Sequence, residues 1–312
     1  MVHHLIARKI LPLLEARFID DSYSTREGKG TLYGINRIAE QLRKVSRDYT
    51  VDCHIMRLDI EGFFMSIVKQ MLYDEIEALV KKEYKGSDQT LLLWLIYLTV
   101  MNRPEVNCIR KSSRREWDGL PARKSLFGGD GTSGIPIGNL TSQLLALLHL
   151  DPLDHLIREE WDIEGYGRYV DDMVLIDRSI EKLLKVRGLI NKWLRERGHR
   201  LHPRKVYLQH FRKGVLFVGG MIRPGYVLMG HRSIGFATDY IREQNQLIER
   251  VGGQVTKEEV AHFVASMNSY LGMTLQFQAF GVSHDMIGSL SPLWYRHAYF
   301  TRRGRRCKMV LK

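Results

Sequence analysis

Apolar residues recur at helical spacing through residues 5–18, LIARKILPLLEARF, and predict a helix that Pro12 interrupts. A Gly/Ser/Lys-rich turn over 21–34, DSYSTREGKGTLYG, breaks that period, which returns over 34–47. Residues 53–60, CHIMRLDI, form a short apolar and β-branched run ending at an acid, the pattern of a strand. The segment 67–101 predicts two helices. Residues 102–134 are polar, basic and glycine-rich, with Arg110, Lys111, Arg114, Arg115, Arg123 and Lys124, and suit an exposed loop or a hairpin extension. A helix is expected over 138–158, capped near Asn139 or Thr141. In GYGRYVDDMVLID, 165–177, two apolar strands flank a turn at Val170-Asp171-Asp172. A helix over 179–197 ends at Gly198, a strand covers 205–211, and 215–222 with 226–229 form a hairpin about Pro224-Gly225. The remainder, 237–312, is expected to be mainly helical and to end in the basic tail RRGRRCK, 302–308.

This order predicts an α+β fold, a sheet with helices on one face followed by a helical appendix. The 312 residues allow one large domain or two modest ones, with no internal repeat or low-complexity linker. A hydrophobic fraction of 44% and a charged fraction of 26% are those of a globular chain and exclude disorder as the default. The net charge of +12 suits a polyanion such as nucleic acid, although charge alone fits a merely basic protein or an acidic-lipid binder equally well. Cys53, Cys108 and Cys307 are scattered without CxxC spacing, which argues against a disulfide framework or a zinc site and fits a reducing compartment. The longest apolar run, within 90–101, is too short to span a bilayer. No basic-apolar-small leader opens the chain, so a cytoplasmic location without membrane partners is expected.

The candidate chemistry lies in three acids at strand ends. Asp59 closes the first strand, and Asp171 and Asp172 sit in the hairpin turn. Adjacent acids repel unless a cation neutralises them, and paired hard divalent ions bridged by carboxylates would do so. Such metals can activate a 3′-hydroxyl and stabilise leaving pyrophosphate. Against this stands the plainer reading that Asp-Asp is only turn chemistry, since Asp is common in turns.

YVDD between apolar strands resembles motif C of reverse transcriptases, and RLDIEGFF, 57–64, resembles motif A. SYSTREGKGT, 22–31, is similar to the fingers motif before motif A. GHRLHPRK, 198–205, resembles motif D, KGVLFVGGMI, 213–222, the primer-grip hairpin of motif E, and MNSYLGM, 267–273, the start of a bacterial-type thumb. The resemblance implies a right-hand polymerase with an antiparallel palm sheet packed on helices and a helical thumb. Its expected parts are partial fingers over 1–50, a palm over 51–235 with a fingers-type insertion at 71–133, and a thumb with basic tail over 236–312. It implies RNA-directed DNA polymerisation by a two-metal mechanism, with Mg2+ (Mn2+ as substitute) held by Asp59, Asp171, Asp172 and the backbone carbonyl of Ile60. Phe64, five residues beyond Asp59, would exclude a 2′-hydroxyl by clash, or is an ordinary core Phe. Lys205 would approach the triphosphate, or is a surface cation. Arg26 and Lys29 would contact nucleotide phosphate and template, or are solvated turn charges. Gln143, Phe217 and Gly219 would face template and primer. The tail at 302–308 would track phosphates or be a disordered charged end.

GIPIGNLTSQ, 134–143, narrows the resemblance. Most reverse transcriptases carry Gln-Gly and then Ser-Pro here, where this chain has Ile137-Gly138 and Ser142-Gln143. That departure resembles the enzymes of diversity-generating retroelements, of bacterial or phage type. It implies adenine-mutagenic copying of a template-repeat RNA from a DNA or RNA primer with deoxynucleoside triphosphates, for mutagenic retrohoming into a target gene. A small basic oligomeric accessory protein is the further partner implied. A Gln at 137 would hydrogen-bond the incoming nucleotide, and losing such a contact reduces discrimination by about 1–3 kcal/mol. Ile137 is alternatively a plain core residue at a helix entry. Gly138 would let the backbone approach the nucleotide, and Gly128-Gly129-Asp130-Gly131 is a flexible strap near template or, the preferred reading, an ordinary loop. The extreme N-terminal fingers sequence of the family has no counterpart before MVHHLIARK. A retron or group II intron-type enzyme and a non-catalytic RNA-binding subunit of polymerase shape are the alternatives.

Overall fold

In a computed structural model of the chain, residues 1–109, 111–121, 124–277, 279–304 and 306–312 are described. Two compact units emerge, 1–211 and 212–312. The first is built on a four-stranded sheet of β1 (His54–Asp59), β2 (Gly165–Tyr169), β3 (Asp172–Asp177) and β4 (Tyr207–His210). The strands lie in the order β2-β3-β1-β4, and every neighbouring pair is antiparallel. All six residues of β3 are buried, because helices pack on this central strand. Thr31–Val45 covers β2 and β3, and Ile180–Glu196 packs against β3. The amphipathic stripes that predict these helices supply Ile35, Ile38 and Leu42 from one, and Leu183, Val186 and Ile190 from the other.

The helix Val2–Glu15 runs through Pro12 rather than breaking there. Its buried stripe, Ile6, Ile10 and Leu14, continues past the proline. Packing of that face on the helix Leu140–His155 offsets the missing amide bond. Segment 102–134 is a loop with short helical turns at Pro104–Asn107, Arg114–Trp117 and Leu126–Gly128, and Ser133 bridges back to Val68. Its Lys111, Arg115 and Lys124 are exposed, whereas Arg110, Arg123 and the Arg114 side chain lie outside the described residues.

The second unit differs from the sequence expectation in two places. Residues 215–222 are not one strand. A turn at Val218-Gly219, with φ of 39° and 92°, splits them. The result is a meander of β5 (Val215–Phe217), β6 (Gly220–Arg223) and β7 (Tyr226–Met229). The C-terminus is not helical or a loose charged end. After the helices His231–Arg250, Lys257–Gln276 and Phe280–Gly288 comes a hairpin of β8 (Ala298–Arg303) and β9 (Arg306–Leu311). Asn268 pins β9 through both its amide atoms, at 2.8 Å to the Met309 carbonyl and 2.8 Å to its N–H. Ala298 and Met309 are buried with Trp294, which stacks on Phe263 at 3.8 Å between ring centroids. Arg302, Arg303, Arg306 and Lys308 are exposed along the hairpin, and Arg305 lies outside the described residues. Among the described residues, no helix is long and apolar enough to cross a membrane.

One close approach fixes where β2 sits. Tyr23 lies against the helix Thr31–Val45 and β2, fully buried, in a slot made by two glycines. A Cβ at Gly34 would come 2.6 Å from Tyr23 Cδ2, and one at Gly167 would come 2.4 Å from Tyr23 Oη and 2.8 Å from Ile38 Cδ1. Gly167→Ala is therefore expected to destabilise the protein by about 1–3 kcal/mol. The urea midpoint checks this, and the same change in a Tyr23→Ala background should cost clearly less.

Candidate active site

The sheet brings together what the sequence separates by more than a hundred residues. In the β1–β3 register Asp59 is directly opposite Asp172, and Tyr169 faces Asp172 from the other side. The β2–β3 loop is the two residues Val170 and Asp171. Val170 has φ of 57°, a left-handed conformation that a β-branched residue adopts only under constraint. The tight turn sets Asp171 at the same end of the sheet as Asp59 and Asp172.

Three carboxylates this close repel one another, and the structure shows how that is managed. Arg57, two residues before Asp59 and so on the same face of β1, forks both oxygens of Asp172 at 2.8 and 2.7 Å. Lys205 Nζ lies 2.9 and 3.2 Å from the Asp59 oxygens. Motif D reaches Asp59 because it extends the edge of β1: His202 N–H donates to the Asp59 carbonyl at 2.7 Å, and Glu61 N–H donates to the Arg200 carbonyl at 2.9 Å. This pairing, with Ile60 opposite Leu201, runs through the carbonyl of Asp59 and the amide of Glu61 and does not use the Ile60 carbonyl.

Burial and the neighbouring Asp59 carboxylate push the Asp171 carboxyl up to about 6. Burial also raises Asp172, with the Arg57 guanidinium opposing the shift. Among the described residues, no group of three His, Cys, Asp or Glu is gathered tightly enough to hold a metal ion. Two of the three acids are turned toward internal cations instead. The donor chemistry nonetheless fits a hard divalent cation, because three carboxylates share one end of a buried sheet and burial and a like-charged neighbour raise the proton affinity of one of them.

The other sequence-predicted residues divide into groups. Phe64 is half-buried, edge-on to Phe63 at 5.6 Å between centroids. Its carbonyl accepts from Ile135 N–H at 2.9 Å, which ties motif A to 134–143. Ile135 is buried, whereas Ile137 is 70% exposed and so is not a core residue. Gly138 has φ of 98° and open space around its Cα, so backbone conformation, not crowding, calls for glycine there. Gln143 accepts from Thr25 Oγ1 at 3.1 Å, which joins this segment to the fingers-like turn.

Arg26 is buried against Glu15, the Ile19 and Ser22 carbonyls and the Phe18 ring, and so braces the turn. Lys29 is held by Asp20 and lies over Tyr33. Phe217 is buried in β5, and Gly219 sits in the β5–β6 turn of the second unit.

Two features lie outside the sequence expectation. One is Arg57, for which a basic residue two positions before the acid was the available signal. The other is a buried cluster behind the turn. Arg168 and Asp154 are both fully buried and paired at 2.5 and 2.7 Å, and Tyr166 donates to the same carboxylate at 2.6 Å.

The reverse transcriptase (RNA-dependent DNA polymerase) family profile matches residues 2–275. The chain belongs to the reverse transcriptase family. Among solved structures, it is similar to apo telomerase from Candida tropicalis. The TM-score is 0.55 at 12% identity, over 95% of this chain and 48% of that one. The same protein truncated from its C-terminal domain gives 0.52 at 13% identity, over 73% and 44%. These likenesses establish a reverse-transcriptase-like polymerase fold of helices and antiparallel sheets, and the chain spans under half the length of those telomerase chains. No curated protein sequence matches this one. Enzymes of the family generally use divalent metal ions.

The raised Asp171 carboxyl gives a signed expectation. Its folded-state value of about 6 lies above the ordinary 3.8, so the ionised group opposes folding above pH 6 and this effect fades as pH falls. Asp171→Asn should therefore raise the urea midpoint of metal-free protein at pH 7.5, with the gain shrinking on acidification through pH 6. A metal ion held by these carboxylates would compete with protons for the same oxygens. Mn2+ affinity of the unsubstituted protein, read by electron paramagnetic resonance, should accordingly fall between pH 7.5 and 5.5.

Proposed function

We propose that the chain is an RNA-directed DNA polymerase of the diversity-generating type, which copies a template-repeat RNA into error-prone cDNA. The observation that carries the polymerase reading is the opposition of Asp59 to Asp172 across β1 and β3, with Asp171 in the adjoining turn. Asp59 and Asp171 would hold a pair of Mg2+ ions, with Asp172 assisting. When bound, the metals activate the attacking 3′-hydroxyl and stabilise leaving pyrophosphate. Lys205, already at this site, would meet the triphosphate once metal takes over its present role beside Asp59. Phe64 is the candidate barrier to a ribose 2′-hydroxyl.

The subtype rests on Ile137. Its exposure supports contact with a nucleotide, to which it offers an apolar surface without hydrogen-bonding groups. An RNA template, a primer and deoxynucleoside triphosphates are the implied partners, with a small basic accessory protein implied by the resemblance alone.

A second reading, an RNA-binding subunit without turnover, is favoured by one observation. Lys205 and Arg57 already neutralise Asp59 and Asp172.

Primer extension on an RNA template with Mg2+ decides between them. The polymerase reading expects extension that falls to background in Asp171→Ala; RNA binding without extension, unchanged by Asp171→Ala, supports the subunit reading. In the active protein, Phe64→Ala should raise ribonucleotide incorporation about tenfold, as expected for removal of a contact worth ~1.4 kcal/mol. Sequencing the cDNA tests the subtype: errors concentrated opposite template adenine support it, and Ile137→Gln should lower them about tenfold.

A further inference from the structure

A buried arginine–aspartate pair contributes little net stability, since removing two charges from water offsets most of their attraction. The Arg168–Asp154 pair, with neither side chain exposed, therefore calls for a geometric explanation. Its remaining bonds supply one. Arg168 Nη1 donates to the Val170 carbonyl at 2.9 Å, and Nη2 reaches the Leu147 carbonyl at 3.4 Å. The guanidinium thus spans from the helix Leu140–His155 to the first residue of the two-residue turn.

That residue is the strained one. Val170 has φ of 57°. Such a conformation costs on the order of 1–3 kcal/mol in a non-glycine residue and persists only where the surroundings over-determine it. The Arg168 backbone is held as well: its N–H donates to the Asp21 carbonyl at 2.9 Å, and its carbonyl accepts from Tyr23 N–H at 3.0 Å.

We propose that Arg168, seated by Asp154, is a positioning residue that clamps the strained Val170 peptide and thereby aims Asp171 at the metal-binding end of the sheet. Five directed donors in a planar fork let one side chain bind a carboxylate and a carbonyl together. A lysine at 168 would keep the charge for Asp154 but not the rigid two-sided bridge. The clamp rests on the polymerase reading for its consequence in catalysis, but not for its effect on metal binding.

The test uses the full chain and Mn2+ alone as probe. Arg168→Lys should weaken Mn2+ binding at least tenfold by electron paramagnetic resonance. Where extension is measurable it should lower kcat by a similar factor, with KM for the nucleotide within twofold. Tyr166→Phe removes a different bond to Asp154 and leaves the clamp, so its Mn2+ affinity should stay within twofold. Glycine adopts a left-handed φ without strain, so Arg168→Lys combined with Val170→Gly should bind Mn2+ within threefold of Val170→Gly alone. If Arg168→Lys does not fold, recovery of folding by Val170→Gly supports the clamp, and failure to recover it shows that Arg168 serves only the core. A folded Arg168→Lys protein with Mn2+ affinity within twofold of the unsubstituted chain overturns the proposal. A wild-type chain that binds Mn2+ but does not extend a primer sinks the polymerase reading and leaves this comparison intact.

Discussion

Mutual repulsion among Asp59, Asp171 and Asp172 is the constraint around which the first unit is organised. The antiparallel register places two of these carboxylates opposite each other, and the two-residue turn adds the third. In water such a cluster would be screened; at the end of a sheet buried on its central strand it is not. Two basic side chains are placed to relieve that repulsion. Arg57 answers Asp172 and Lys205 answers Asp59. Among the described residues Asp171 has no ion pair, and burial together with the neighbouring Asp59 raises its proton affinity.

The site is also the meeting point of segments that are otherwise independent. Asp21 and Tyr23 bond the backbone of Arg168 beside β2, and Thr25 bonds Gln143. Phe64 bonds Ile135, and Arg200 and His202 bond the end of β1. Within the first unit these segments are thus joined by hydrogen bonds around one strand pair. Tyr23 is wedged between Gly34 and Gly167, so the spacing of helix and strand rests on the absence of two Cβ atoms. Rigid seating of this kind is what positions reacting groups to within a fraction of an ångström.

Much of this was legible in the chain itself. Two short apolar runs about the turn Val170-Asp171-Asp172 predict β2 and β3, and helical stripes predict the helices that cover them. The acids were found because strand ends and tight turns are local features. Local rules failed where tertiary contact decides the outcome. Pro12 looked like a break, yet the buried face on both sides of it is held by the helix Leu140–His155. The C-terminal RRGRRCK looked like a charged tail. Asn268, some forty residues earlier in the chain, supplies the two bonds that seat β9.

The sequence by itself determined the α+β class, the order of the main elements as far as β4 and the membership in the reverse transcriptase family, and it singled out the three acids as candidates. It did so because side-chain periodicity and turn preference depend only on neighbouring residues. The tertiary structure decided which cations face those acids, that Ile137 is exposed while Ile135 is buried, and that Arg168 and Asp154 stand behind the turn. Charge pairing and burial depend on distance in space. The register that sets those distances appears only once the strands have paired.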